Sequence, residues 1–375
     1  MIKLYSYFAF FSFGFFVMIL PSALPVAMNE FKMDYFQSGY LMIMGTAGYI
    51  AGSLICALFA HIMGLKRIAI IGAFLSSIGL IYFAISRSYI DINIANFSTN
   101  IGMGFIEIGI GSLIGASSQE NMSGTLNRVN ALFALGSVVS PFVISAFIGL
   151  GWNWQLVYLM ASAISTIALI FAIKMEKIES EKSVKGHAAK RSNGFAPVFF
   201  LIYALVAIYV GYEATYSSWV TTFMTNFRDI TVAIAAASSS AFWIGMFVGR
   251  LFASYIKVKA ESWLIFIVSG SLISVLFSIS FSNLYSIILF VFLSGLFFAS
   301  TYPTVQSMLI ERTEGNIGNL MGIFVFFVGI GAALSQWIVS SLSDIFGILI
   351  GFSIIPLMIL SELILSVSLA KRRAM

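Results

Sequence analysis

Residues 174–194 read KMEKIESEKSVKGHAAKRSNG. This is the one long hydrophilic stretch in a chain of 375 residues, and it leaves two flanks of similar length. Each flank is a succession of apolar runs separated by short polar loops. Many of the runs reach about 18 residues or more, long enough to cross the hydrocarbon of a bilayer as a helix. Counted outward from the centre, six runs precede the hydrophilic stretch and six follow it. They are centred near residues 16, 48, 77, 105, 138 and 164, and near 211, 244, 273, 297, 330 and 359.

Composition points the same way. The chain is 60% hydrophobic and 9% charged, with a mean hydropathy of +1.00. Ordinary soluble domains carry about 25% charged residues, so these few cannot cover a surface that faces water. No phosphate-cradling loop, zinc-ligand spacing or nucleophile elbow is present, so an enzyme is not expected, nor are catalytic residues, a metal or a cofactor. The net charge of +5 does not point to nucleic acid, because the basic residues are spread over short loops. The single cysteine, Cys56, forbids an intrachain disulfide and reads as a small packing residue. The N-terminal run MIKLYSYFAFFSFGFFVMIL is too long for a signal peptide and no small-residue cleavage site follows it. It is expected to stay as the first helix.

Lys and Arg placement sets the orientation. With the N-terminus inside, all 20 Lys and Arg residues except Lys32, Arg87 and Arg228 fall on the cytoplasmic side. Both termini are therefore expected in the cytoplasm, with the protein lying in the cell membrane. The halves also echo each other. Gly14, Asn29, Gly48 and Gly52 recur 197 residues later as Gly211, Asn226, Gly245 and Gly249. Small residues four apart let helices approach closely. A second echo, at 193 residues, links Gly102 and Gly136 to Gly295 and Gly329. The expected architecture is an all-α membrane protein, twelve transmembrane helices in two pseudo-symmetric six-helix bundles. Residues 1–173 form the first bundle, 174–194 a cytoplasmic linker and 195–375 the second. Two parallel repeats of this kind are the plan of many secondary transporters, with the substrate site at the membrane midplane between them.

Charges inside the spans then carry the functional reading. Residues 102–115, GMGFIEIGIGSLIG, hold one carboxylate, Glu107, in the middle of the fourth span. An acidic residue at the bilayer centre costs about 2.5–3.5 kcal/mol on insertion scales, and usually faces a bundle interior or a water-filled cavity. A carboxyl that can gain and lose a proton as such a cavity opens to one side and then the other meets the physical requirement for proton coupling. Asn93, Asn100 and Glu107 stand seven apart, with Asn96 on the same stripe. Glu213 stands in the middle of the seventh span with Tyr209, Tyr212 and Tyr216 on its face. Tyrosine rings stack on the apolar face of a sugar and carboxylates bond its hydroxyls; the competing reading is an aromatic packing seam. Trp219, a turn further out, either closes a cavity mouth or anchors at the interface. Tyr302 and Gln306 in the tenth span and Gln336 in the eleventh are candidate hydroxyl binders, against interhelical hydrogen bonding. Pro303 is expected to bend the tenth span. Glu362 reads as an interhelical or snorkelling residue nearer the cytoplasmic end.

Several stretches resemble the major facilitator superfamily. Residues 57–67, ALFAHIMGLKR, are similar to its loop after the second span: Gly64, Lys66 and Arg67 match, while His61 stands where an aspartate is usual and Leu65 replaces an arginine. GWNWQLVYLM at 151–160 is similar to its aromatic approach to the sixth span. GMGFIEIGIGSLIG, RVNALFALGSVVSP at 128–141, AIYVGYEATYSSWV at 207–220, SAFWIGMFVGRL at 240–251 and LSGLFFASTYPTVQSML at 293–309 together resemble its fucose-permease-like branch. Within that branch they are similar to bacterial glucose/mannose:proton symporters. The resemblance implies a major facilitator fold and hexose uptake coupled to a cation, H+ or Na+. It implies coupling at Glu107 and Glu213, and substrate contacts from Asn96, Asn100, Glu107, Tyr209, Tyr212, Glu213, Tyr216, Tyr302, Gln306 and Gln336. Gating falls to His61, Lys66, Arg67 and Arg250. The partners implied are a small-molecule substrate, a sugar, and the lipid bilayer, with the protein a monomer. Two alternatives stay open: a drug/proton antiporter, and a non-transporting membrane sensor. Against the antiporter, GSVVSPFVIS at 136–145 keeps the proline of the antiporters' fifth-span motif but not its glycines at 140, 144 and 145.

Overall fold

The computed structural model describes residues 1–117, 122–176, 197–253, 258–312 and 317–374. Among these residues there is helix and no strand. The helices are α1 (Ile2–Glu30), α2 (Tyr35–Met63), α3 (Leu65–Ile85), α4 (Tyr89–Ser117), α5 (Met122–Gly149), α6 (Leu156–Lys174), α7 (Pro197–Asn226), α8 (Val232–Ala253), α9 (Ala260–Ser280), α10 (Leu284–Phe298), α11 (Thr301–Glu311), α12 (Ile317–Phe346), α13 (Ile348–Phe352) and α14 (Ile354–Ala374). They supply 12 stretches long and apolar enough to cross a membrane, and each contains one of the expected centres. Most of the expected linker lies outside the described residues.

Two spans are broken, each by a proline. α10 and α11 share the tenth span and part at Ala299 and Ser300. Pro303 has no N–H to give to the Ala299 carbonyl four residues back, and its ring crowds that carbonyl. The ladder resumes with Thr304 donating to the Ser300 carbonyl at 3.0 Å. The sequence expectation of a bend is met by this break. Ser353 parts α13 from α14 in the same way, four residues after Leu349 and three before Pro356; that break is not foreseen from the sequence.

The chain divides into two compact units, Met1–Lys185 with Thr231–Ser240, and Gly186–Ile230 with Ala241–Met375. Residues 231–240, at the start of α8, thus group with the first unit, although the sequence counts them in the second half. In the first unit α4 packs on α2 and α3, α1 on α5 and α6, and α3 on α6. In the second, α7 packs on α12, α14, α11 and α13, and α9 on α10, α14 and α11. Lipid gives no hydrophobic drive between helices, so close packing and interhelical hydrogen bonds must hold them. Serine hydroxyls do much of this: Ser12 donates to the Ala161 carbonyl at 3.1 Å, Ser137 to Gly14 at 3.2 Å and Ser162 to Ser77 at 3.0 Å. Outward-facing positions are apolar, with Leu58 66%, Ile62 67% and Ile90 68% exposed. Water would not tolerate such a surface; hydrocarbon does.

The internal repeat is legible in the backbone. Cβ atoms at Gly48 and Gly52 of α2 would run into the Phe97 and Ile101 carbonyls of α4; at Gly245 and Gly249 of α8 they would run into the Phe292 and Leu296 carbonyls of α10. The turn after α1 holds Lys32 at φ 52°, and the turn after α7 holds Asp229 at φ 53°. These two residues stand 197 apart, and they are the only non-glycine residues with positive φ among those described. Such angles are uncommon outside glycine. The second echo is corrected. Gly102 faces Ser76 and Gly72 of α3, whereas Gly295 faces Phe242 of α8, so these two are not equivalent. The equivalent of Gly136, which meets Phe11 of α1, is Gly331, which meets Ala207 of α7.

Candidate functional site

Glu107 is partly buried on α4. Gly104, one turn earlier, lies against the Tyr49 carbonyl and Ser53 of α2, so the two backbones nearly touch there. That approach brings Tyr49 to the carboxylate, and its hydroxyl donates to Oε2 of Glu107 at 2.5 Å. The Tyr49 ring lies against Phe13 of α1, with centroids 6.3 Å apart. Sequence reasoning misses Tyr49 for a physical reason: one tyrosine between Gly48 and Gly52 reads as packing until the α2–α4 register is known. A tyrosine hydroxyl both donates and accepts. It serves the carboxylate as donor and the protonated acid as acceptor, so this pair accommodates both states.

The asparagine stripe of α4 exists, but it leans on α2. Asn96 is buried and donates to the Leu41 carbonyl at 2.7 Å. Asn100 is partly buried and donates to the backbone and side-chain oxygens of Asn96 at 2.8 and 2.9 Å. Periodicity identifies a face; it does not say which neighbour covers it.

In the second unit Glu213 is partly buried, beside Tyr209 and within electrostatic reach of Arg250. Arg250 is exposed in the last turn of α8. Tyr209, Tyr212 and Tyr216 of this helix are fully buried. Tyr209 donates to the Phe298 carbonyl at 2.9 Å and Tyr216 to the Ser278 hydroxyl at 3.1 Å. Their rings close around Phe298, with Tyr212 4.7 Å and Tyr216 5.7 Å from it by centroid. Tyr216 also meets Phe242 and Phe352 at 5.5 and 5.4 Å. In this arrangement the three rings pack on aromatic neighbours.

Gln336 of α12 is buried and committed. Its oxygen accepts from the Trp219 indole at 2.6 Å, and its amide donates to Ser218 Oγ at 3.2 Å and the Ala214 carbonyl at 3.3 Å. Trp219 is itself fully buried. Tyr302 is partly buried with its ring 5.5 Å from that of Phe324, and Gln306 is partly buried. Lys66 and Arg67 open α3, next to Gly64, whose φ of 75° favours glycine over any other residue. His61 lies on the last turn of α2 rather than in a loop, and its side chain is outside the described residues. At the end of α11, Arg312 pairs with Glu261 of α9 at 2.6 Å.

Among the described residues, twelve apolar spans in two compact units, with carboxyl groups set inside the spans, define a multi-pass membrane protein built like a membrane carrier. The Major Facilitator Superfamily profile matches residues 6–336. The chain belongs to that superfamily, and it is a transporter rather than an enzyme. It is 23% identical over 356 residues to the glucose/mannose transporter GlcP of Bacillus subtilis (strain 168), covering 90% of this chain and 86% of that one. It is 23% identical over 365 residues to the glucose/galactose transporter of Brucella abortus biovar 1 (strain 9-941), covering 92% and 88%. A solved bacterial homologue of the human lysosomal transporter Spinster, inward-facing and occupied, superposes with a TM-score of 0.78 at 12% identity, covering 99% and 95%. The nucleoside transporter NupG superposes with a TM-score of 0.76 at 15% identity, covering 99% and 98%.

Proposed function

We propose that this chain takes up a hexose or a related small sugar by proton-coupled alternating access, in the cell membrane with both termini cytoplasmic. The observation that carries the coupling is Glu107, a carboxyl inside a span that accepts a hydrogen bond from the Tyr49 hydroxyl. The sugar reading is supported by relatives named as glucose/mannose and glucose/galactose transporters.

Outside, a proton neutralises Glu107, and Tyr49 turns from donor to acceptor. Removing the charge removes the cost of enclosing it, about 2.5–3.5 kcal/mol on insertion scales, so sugar-loaded protein closes when the proton is on. Inside, the sugar leaves and the proton follows. A proton moves such an equilibrium only by binding one state more tightly than the other. For sugar contact, the partly accessible polar residues are retained: Asn100 in the first unit, and Glu213, Tyr302 and Gln306 in the second. Asn96, Gln336 and the buried tyrosines Tyr209, Tyr212 and Tyr216 become residues that hold those groups in place.

The test is uptake of labelled glucose, mannose and galactose into proteoliposomes under an inward proton gradient. Accumulation of at least one hexose is expected. Wild-type protein that accumulates none of them under a proton or a sodium gradient contradicts the sugar reading; accumulation under sodium alone contradicts the proton.

A further inference from the structure

A third carboxyl lies inside the spans, and the coupling reading does not use it. Glu362, on α14, is 0% exposed. Among the described residues, neither of its carboxylate oxygens has a hydrogen-bond partner. Full burial removes the snorkelling half of the sequence reading and leaves the interhelical half.

The groups around it come from each helix packed on α14. From α7, the Tyr212 hydroxyl acts on it, and that hydroxyl likewise lacks a partner within hydrogen-bond geometry. Tyr209 feels its charge, but has given its hydrogen to the Phe298 carbonyl. Glu213, on the same helix, acts on both tyrosines and is itself offset by Arg250. From α9, the single titratable side chain is Glu261, already paired with Arg312 at 2.6 Å. α13 carries none. On α14 itself Lys371 is nine residues on, about 13.5 Å along the axis at 1.5 Å per residue, beyond side-chain reach. The described surroundings therefore offer Glu362 two tyrosines, a second carboxyl and no cation of its own.

Among the described residues, a carboxylate in this place has no counter-ion and no hydrogen bond of normal geometry. Groups so placed give up their charge rather than stay ionised out of water. We infer that Glu362 is a second proton-binding site, a neutral carboxylic acid held inside the second unit and facing Tyr212. Its proton is distinct from the one proposed for Glu107. This inference stands on burial and missing partners and does not depend on the identity of the substrate.

Infrared difference spectroscopy on purified protein reads it directly. A protonated acid shows a carbonyl stretch distinct from that of a carboxylate, and the band moves on exchange into D2O only if the proton can leave. The wild type is expected to show such a band from mildly acidic to mildly alkaline pH. Glu362→Gln should remove one band, keep the protein folded, because an amide imitates a neutral acid, and leave proton-driven uptake within about two-fold. If the variant does not fold, the Glu107→Gln, Glu213→Gln double variant replaces it, and the band must survive there. A spectrum unchanged by Glu362→Gln overturns the inference. So does a band lost from the double variant, or one that titrates away below neutral pH. Failure of sugar uptake alone leaves these bands untouched and bears only on the proposed function.

Discussion

At the scale of single residues, two side chains separate a coupling role from a packing role. Tyr49 gives Glu107 its hydrogen bond. A bond to a charged group is worth about 1.5–3 kcal/mol, and each 1.4 kcal/mol is about ten-fold in an equilibrium constant. Tyr49→Phe is therefore expected to lower proton-driven uptake by roughly ten-fold, with a thermal midpoint close to wild type. Unchanged uptake in that variant would remove Tyr49 from the coupling pair. Gln336 is the opposite case. Gln336→Leu strands the buried Trp219 indole and should cost about 1–3 kcal/mol of stability, seen as a lower unfolding temperature in detergent, with the apparent sugar affinity of surviving protein little changed. A large loss of affinity at unchanged stability would return Gln336 to the substrate. Residue types alone do not separate these cases. Glu107 stands out because a charge in an apolar run is costly, but a glutamine or a tyrosine suits a binding face and a helix contact equally well.

Among the helices, the close crossings decide stability. Gly245 and Gly249 sit against backbone carbonyls of α10, which cannot move aside as a side chain would. Gly245→Leu is expected to abolish accumulation of folded protein. Gly111 has nothing within 4 Å of a Cβ, so Gly111→Ala should be neutral or stabilising by about 0.5–1 kcal/mol, the usual difference between the two residues inside a helix. Fluorescence size-exclusion profiles and thermal midpoints check both; equal behaviour of the two variants would show that the α8–α10 approach is unimportant. The spans themselves are legible in the sequence because apolar runs of membrane length are hard to mistake. The glycine spacing at 48 and 52 and at 245 and 249 also marks true crossings. The echo at 193 residues misleads, since glycine is frequent here and a position alone does not reveal the helix it faces. The break at Ser353 escapes notice because Pro356 lies in a run that otherwise reads as one helix.

For the whole molecule, duplication and charge bias are the properties the sequence displays most openly. Lys32 and Asp229, 197 residues apart, hold the same unusual backbone angle after the first helix of each repeat. The proposed topology has its own check. Cys56 is buried, so Cys56→Ala supplies a background for single cysteines. An impermeant thiol reagent should label Arg87→Cys in intact cells, and Lys371→Cys only after permeabilisation. The reverse pattern would invert the orientation.

The central claim is that Glu107 carries the transported proton. Its most direct test adds sugar to lightly buffered proteoliposomes and records proton influx together with labelled sugar. Wild type should move both, and Glu107→Gln should exchange labelled sugar across the membrane without proton influx or accumulation. Sugar-driven proton influx that persists in Glu107→Gln would contradict the account.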